Sequence, residues 1–333
     1  MARERSTWRR GALLGGFVVP PLVGWLLLQL TTYLMTQATF ASGTFTLSAF
    51  IFIPLLMGFV SAGFWARLGL GTGEYVAYSL VNTFLALVAS YFTMREGVIC
   101  LVIVSPLIAA FILAGALLGR YAFRGPGPLR VCVVPVVLVL IWVDARLPRH
   151  HENAVTDRLV VRARPEAVWR HVVEVPTIEP RSSFWLFRLG LPRPVRTTAE
   201  AHRVGARRLC IFEGGYTLDE RITALEPNRR MAFEVVGQPR HPEIMGHLDV
   251  TRGELRLHDN GDGTTTLTGT TWYRLHVYPA WYYDRWAERI GREVHWSVMG
   301  HLKRLAEAGD GAAANPGEAP RRTQAGAAAA APL

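Results

Sequence analysis

Hydrophobic residues follow two regimes along the chain. From Gly11 to Gly119 they form long, almost uncharged runs; after Arg146 they alternate, or recur at helical spacing, among frequent charges. A bilayer crossing needs about 20 mainly apolar residues. Gly11–Met35, Leu47–Ala66, Tyr75–Met94 and Gly97–Gly119 reach that length. Val131–Val143 is shorter and reaches the low end of the range only with Leu129 and Ala145 as flanks. The pattern predicts about five spans. The first run is too long for a signal peptide and no small-residue cleavage site closes it, so a retained anchor is expected.

The second regime begins with Val155–Ala163, an alternating β-branched segment that reads as a strand. Pro165 with Glu166 beside it marks a helix start. After a proline-punctuated stretch, Pro176–Pro194, six strands are predicted: Val195–His202, Arg207–Glu213, Tyr216–Leu225, Arg229–Val236, Leu248–His258 and Thr264–Tyr278. Asn260-Gly261-Asp262-Gly263 is a hairpin turn between the last two. A long helix, Ala280–Ala306, follows with an apolar stripe through Tyr283, Trp286, Ile290, Val294, Val298, Leu302 and Leu305. The remainder is Ala, Pro and Gly with little else and is expected to be disordered. The expected division is a transmembrane region at 1–145, a linker at 146–154, an α+β domain at 155–307 and a tail at 308–333. Residues from about Arg149 to Gly309 form a complete strand-and-helix set and are expected to fold alone as a soluble monomer.

Strand, helix, a run of antiparallel strands and one long closing helix pack most simply as a curved sheet wrapped around that helix, a helix-grip fold. Four patterns strengthen this reading. They are Ala163-Arg-Pro-Glu-Ala-Val-Trp169 after the opening strand, Gly205-Ala-Arg-Arg-Leu-Cys-Ile-Phe212 leading into Leu218-Asp-Glu-Arg-Ile-Thr223, Gly263-Thr-Thr-Thr-Leu-Thr-Gly-Thr-Thr-Trp-Tyr273, and His295-Trp-Ser-Val-Met-Gly-His-Leu-Lys303. With them, the segment from Val155 to Glu307 resembles the SRPBCC (START/polyketide cyclase-like) superfamily. That resemblance implies a helix-grip fold with a cavity between sheet and helix. It does not fix an activity, because the superfamily includes lipid carriers, cyclases and hydrolases.

Strand alternation sorts the faces. Tyr216, Leu218, Glu220 and Ile222 share one, and its apolar members point it inward, which places a carboxylate on an apolar wall where its pKa should rise, unless it sits at the cavity rim or pairs with an arginine such as Arg208 or Arg221. Leu267, Gly269, Thr271, Tyr273, Leu275 and Val277 share another inward face. His295 borders the buried stripe of the long helix beside Val294. Glu220, Tyr273 and His295 are therefore the candidates for proton chemistry. Tyr216, Leu218, Glu220, Phe233, Gly269, Thr271, Tyr273, His295, Val298 and Met299 are the expected ligand-facing set. Gly269, Thr271, Ser297 and Gly300 are small, and small residues facing each other should leave volume. Phe184, Trp185, Phe187, Trp281, Tyr282 and Tyr283 are expected near the cavity mouth, where they could gate a ligand, sit at a bilayer interface or simply pack. His295 and His301 stand about 240° apart on a helix and cannot chelate one metal from the same face, and no other spacing suggests a metal or a cofactor. His150-His151-Glu152 reads as a solvated linker.

Charge adds orientation. The chain has 333 residues and a formal net charge of +10, with arginines scattered among acids and Lys303 as the only lysine, so no nucleic-acid partner is indicated. Arg3, Arg5, Arg9 and Arg10, then Arg67, then Arg120, Arg124 and Arg130, fall on one side of alternating spans; Thr36–Thr46 is uncharged and Arg95 is offset by Glu96. The positive-inside rule then puts the N-terminus in the cytoplasm, and five spans put the domain outside the cytoplasmic (inner) membrane, on the periplasmic side. Four spans would put it inside. The span interiors hold Gln29, Asn82 and hydroxyls but no mid-membrane charge, which argues against a pump or channel. Cys210 is alone in the domain, so no internal disulfide can form there. The first functional expectation is a membrane-tethered module that binds a hydrophobic small molecule or lipid. The alternatives are a cyclase/dehydratase-like enzyme using Glu220, Tyr273 and His295, and an interaction scaffold without ligand.

Overall fold

The computed structural model describes residues 2–37, 47–94, 97–124, 129–146, 151–179, 182–239 and 247–314. Its N-terminal half is a bundle of α1 (Ala2–Gln37), a π-helical turn (Ser48–Phe52) continuing into α2 (Ile53–Trp65), α3 (Thr72–Met94), α4 (Val98–Ala122) and α5 (Leu129–Arg146). Four of these are long and apolar enough to cross a membrane: Thr7–Tyr33, Ser48–Trp65, Thr72–Thr93 and Val98–Ala122. The apolar part of α5, Val133–Asp144, is shorter. All 18 residues of α5 together span about 27 Å at 1.5 Å per residue. Val137 and Ile141 of α5 are buried in one cluster with Ile53, Leu56 and Met57 of α2 and Ile112 of α4, so α5 packs along the bundle.

Small residues set the tightest packing. A Cβ at Gly58 of α2 would overlap the Ile112 carbonyl oxygen, and one at Gly115 of α4 would overlap that of Leu55. Gly119 faces Ala62 in the same seam. Backbones at this range gain dispersion that bulkier side chains would prevent. Some of the buried polar groups cross-link the bundle, while Trp65 Nε1, Ser79 Oγ and Asn82 Oδ1 have no hydrogen-bond partner among the described residues. The buried Asn82 amide donates to the Gly16 carbonyl at 2.9 Å and to Ser61 Oγ at 2.8 Å, tying α3 to α1 and α2.

Two sets of contacts define the ends of the bundle. Arg9 donates to the Leu68 carbonyl and Arg120 to Thr72 Oγ1 and the Leu70 carbonyl, which gathers cations at one end. At the other, Asp144 accepts from the backbone nitrogen of Ser48 at 2.6 Å. The sheet domain stands at this second end, opposite the start of α1. The Arg95–Glu96 pair and residues 38–46 of the uncharged connection lie outside the described residues.

The C-terminal half is a helix-grip fold. Seven antiparallel strands run in the order β1-β7-β6-β5-β4-β3-β2. They are β1 (His151–Val161), β2 (Pro194–Ala199), β3 (Arg207–Phe212), β4 (Thr217–Glu226), β5 (Arg230–Gly237), β6 (Leu248–Asp259) and β7 (Thr265–Leu275). Short helices α6 (Pro165–Trp169) and α7 (Trp185–Arg188) lie between β1 and β2, and α8 (Ala280–Ala314) closes the chain. Register shifts interrupt the β2–β3, β4–β5 and β6–β7 ladders, and such bulges increase twist and bend the sheet. The β6–β7 hairpin turns at Gly261 and Gly263, with φ of 77° and 83°, which glycine adopts without steric cost.

Two boundaries differ from the sequence pattern. β1 starts at His151 rather than Val155, because its first residues pair with the end of β7 (His151 with Leu275). His151 and Glu152 are therefore strand residues, not a solvated linker, while His150 lies outside the described residues. α8 runs to Ala314, beyond Ala306, since its alanine-rich end favours helix; residues 315–333 of the expected tail lie outside the described residues.

The domain core plugs one end of the curved sheet. Val161, Val168, Ile222, Met231, Leu267 and Leu302 are almost fully buried there, with α6 and the second half of α8 as the lid. The other end is closed by the bundle. Leu275, Val277, Tyr283, Phe184 and Phe187 form one buried cluster with Ile99, Ile103 and Val104 of α4. Tyr282 donates its hydroxyl to the Ile103 carbonyl at 2.6 Å, and Phe50 lies 5.4 Å from Tyr283, ring to ring.

Candidate functional site

Between the core plug and α4, the sheet and α8 enclose an apolar cavity of about 380 Å³. Helix and sheet diverge here because α8 is docked by polar side chains onto one edge of the sheet. Asp284 receives hydrogen bonds from His151 and, at 3.0 Å, from the Tyr273 hydroxyl. Asn153 donates to Glu288, and Arg292 pairs with Asp157 at 3.1 Å. Asp284, Glu288 and Arg292 recur every four residues and so form one row on the helix. The row holds α8 over β1 and β7 and leaves the wall from β3 to β5 standing away.

All ten residues of the expected ligand-facing set line this cavity: Tyr216, Leu218, Glu220, Phe233, Gly269, Thr271, Tyr273, His295, Val298 and Met299. Ser297 and Gly300 do not; Ser297 bonds the Glu293 carbonyl instead. The space expected beside Gly269 is partly taken by Met299, whose Sδ would lie 2.7 Å from an added Cβ. Phe233 similarly lies across Gly253, filling the gap that glycine leaves on the inner face. Of the expected mouth aromatics, Phe184, Phe187 and Tyr283 are buried near α4, whereas Trp185 and Trp281 are 44% and 59% exposed.

Three polar positions interrupt the apolar wall. On β3 and β4, Arg208 and Glu220 form a buried ion pair. Arg208 also donates through Nε to the Val173 carbonyl at 2.9 Å, and its guanidinium lies 5.2 Å from the centre of the Phe233 ring. Burial pushes the Glu220 carboxyl above its ordinary range, while Arg208 pulls it back. Cys210 beside the pair is pushed up to about 12 by burial and then by the charge of Glu220, which removes it as a thiolate nucleophile at neutral pH.

Tyr273 is the second position. Burial and the Asp284 carboxylate raise its pKa, so the phenol keeps its proton and serves as a donor. His295 is the third. Its Nδ1 lies 2.8 Å from Asp157 Oδ2, and its Nε2 lies 2.8 Å from Thr271 Oγ1. Burial lowers the imidazole pKa, and Asp157 opposes that shift. A neutral ring with its proton on Nδ1 satisfies both contacts, leaving Nε2 to accept from Thr271. Glu220, Tyr273 and His295 are thus each tied to a separate partner rather than to one another. Asp157 is not among the expected site residues, although it sits between Val155 and Leu159 on the inward face of β1.

The remaining wall comes from the bundle. Ile103, Val104 and Ile108 of α4, Phe50, Leu28 of α1 and Ser90 of α3 line the same cavity as the residues of the sheet. Nothing in the apolar runs of the sequence marks these positions, which read as lipid-facing or bundle packing.

No family model matches the chain, and no curated protein matches it. Similar solved structures cover the C-terminal half. A protein from Nitrosospira multiformis is 18% identical over 47% of this chain and 99% of its own, with a TM-score of 0.33. A point mutant of norcoclaurine synthase from Thalictrum flavum, in complex with a transition-state analogue, is 11% identical over 49% of this chain and 99% of its own, with a TM-score of 0.35. A protein from Thermobifida fusca is 19% identical over 46% of this chain and 93% of its own, with a TM-score of 0.32. The helix-grip assignment rests on the chain's own strand order and closing helix.

Proposed function

We propose that this chain is a membrane-tethered binding module whose helix-grip domain holds a hydrophobic small molecule or lipid between sheet and long helix. The observation that carries the reading is the apolar cavity of about 380 Å³, within the range of about 300–1,000 Å³ usual for small-molecule sites. The working division is a membrane region to residue 145 and a binding domain over 155–307. In this reading the protein resides in the cytoplasmic (inner) membrane with the domain on its outer side. The test is binding of a fluorescent fatty acid by the full chain in detergent, compared with Gly269→Phe. The added ring must displace Met299 into the cavity, so binding is expected to be lost while the unfolding transition stays cooperative. Unchanged binding by a folded variant would mean that the space is not the site.

One observation favours a second reading, a cyclase/dehydratase-like enzyme. His295 lines the cavity with Nδ1 held by Asp157, and a substrate that displaces the Thr271 hydroxyl from Nε2 would meet an oriented base suited to moving a proton. Turnover of a polyketide mimic that is lost in His295→Gln, with binding retained, would establish it over simple binding.

A further inference from the structure

We infer that the cavity takes a single-chain fatty acid from the bilayer, its carboxylate toward Arg208 and its alkyl chain running between α1, α3 and α4. This rests on the binding reading and adds the ligand class, its direction and its route.

Continuity of the wall is the first support. Arg208 and Glu220 on the far strands share one cavity with Leu28, Ser90 and Ile108, which belong to helices long and apolar enough to span a membrane, Leu28 and Ser90 near the ends of theirs and Ile108 near the middle. A ligand filling that space would lie mainly in the sheet domain and reach into the bundle. Access is the second. The opposite end of the sheet is sealed by the tightly packed Ile222, Met231, Leu267 and Leu302, whereas at the bundle end the cavity continues past Ile103 and Val104 to Leu28, Ser90 and Ile108. Around that direction α1 and α3 present apolar side chains outward, Leu30 at 46% and Phe92 at 75% exposed, as lipid-facing helices do.

Polarity sets the direction of the ligand. Among the described residues that line the cavity, Arg208 is the only arginine or lysine, and it stands in the sheet domain. Among the described residues, the bundle portion of the wall contributes no ionisable side chain except the Cys100 thiol. An amphiphile entering from lipid therefore finds its hydrogen-bonding partners in the domain and its hydrocarbon surroundings in the bundle. A cavity of about 380 Å³ suits one chain better than two. A carboxylate head would share the Arg208 guanidinium with Glu220. Two carboxyl groups on one cation retain one proton between them, so the fatty acid would bind together with a proton.

The experiment uses the full chain in nanodiscs and two photoactivatable palmitate analogues, one with its diazirine near the carboxyl and one near the chain end. Adducts of the first are expected on β3 and β4, and adducts of the second on α1, α3 and α4. Both probes crosslinking only within 151–314, or the reverse pattern, would overturn the orientation. Glu220→Gln frees Arg208, and is expected to raise the preference for palmitate over hexadecanol. Arg208→Gln/Glu220→Gln is expected to abolish that preference, and an unchanged preference in both variants would overturn the head-group assignment. If neither palmitate probe reacts while a neutral apolar dye still binds and is displaced by Gly269→Phe, the fatty-acid inference fails and the binding reading survives. If the dye does not bind either, the binding reading itself has failed.

Discussion

Burial and hydrogen bonding pull the imidazole of His295 in opposite directions, and burial wins, so its folded pKa lies below the ordinary 6.5. Between those two values the unfolded chain holds a proton that the folded chain does not. The stability contributed by neutral His295 is complete above about 6.5 and is lost as pH falls toward the folded pKa. Asp157, Arg292 and Thr271 are the polar groups that face the ring. Glu220 has the opposite sign. Its raised pKa stabilises the fold below 4.5 and that contribution fades as pH rises through the folded value. His295→Gln keeps Glu220, so the difference between the two melting curves from pH 7.5 to 5 isolates the imidazole. The parent is expected to lose more stability than the variant on acidification, and parallel curves would contradict this. The Arg208–Glu220 pair gives a second prediction. Arg208→Met leaves Glu220 buried without its cation, which should cost roughly 3–5 kcal/mol, whereas Arg208→Met/Glu220→Leu should be near neutral or stabilising. Thermal unfolding of the two variants checks the order. Strand alternation was enough to place Glu220 and Tyr273 on inward faces, because period two is a local property. Arg208 was among the arginines the sequence offered Glu220, whereas the tie of His295 to Asp157 was not legible, since the two are 138 residues apart and no local pattern encodes that pairing.

Between helices, the decisive contact is the seam of α2 and α4. Gly58 and Ala62 face Gly115 and Gly119, and each pair is spaced four apart on its helix. A leucine at Gly115 would have to enter the backbone of α2 at Leu55, so Gly115→Leu is expected to separate the helices and lower the melting temperature of the detergent-solubilised chain sharply. Gly73→Leu in the first turn of α3 is the control: nothing lies within 4 Å of an added Cβ there, and the melting temperature should barely move. The spacing of these glycines is visible in the sequence, but which helices meet through them is not. The sheet was the most legible part. Its strands lie within a few residues of the alternating segments, because one inward face imposes a strict period and turn residues such as Asn260–Gly263 punctuate it. The start of β1 was less so. His151 and Glu152 carry no alternation signal and are held in the strand by pairing with β7 alone.

At the scale of the whole chain, apolar helices and sheet domain complete one another. Apolar residues in α4 read from sequence as lipid contacts, yet Ile99, Ile103 and Val104 cover the mouth of the helix grip. Hydropathy reports only that a side chain avoids water, not whether lipid or protein replaces it, so this docking left no trace in the pattern. Orientation is testable from the geometry. Arg9 and Arg120 mark the end of the bundle away from the sheet domain. If that end is cytoplasmic, a periplasm-active reporter fused after Gly309 is expected to be active and a cytoplasm-only reporter silent. The opposite result would reverse the topology. The docking also bears on the domain in isolation. Residues 151–314 contain the sheet, its core plug and α8, and are expected to unfold cooperatively when expressed alone. Removing α4 exposes Leu275, Val277 and Tyr283, which are now between 4% and 9% exposed, and a contiguous apolar patch of that kind promotes association. Leu275→Ser/Val277→Thr is therefore expected to keep the excised domain monomeric where the parent fragment self-associates, as read by light scattering. A parent fragment that stays monomeric and binds no hydrophobic dye would mean that the domain closes its own mouth. A fragment with no cooperative transition in either form would mean that the helices are needed for the fold itself, and that the two halves are one folding unit.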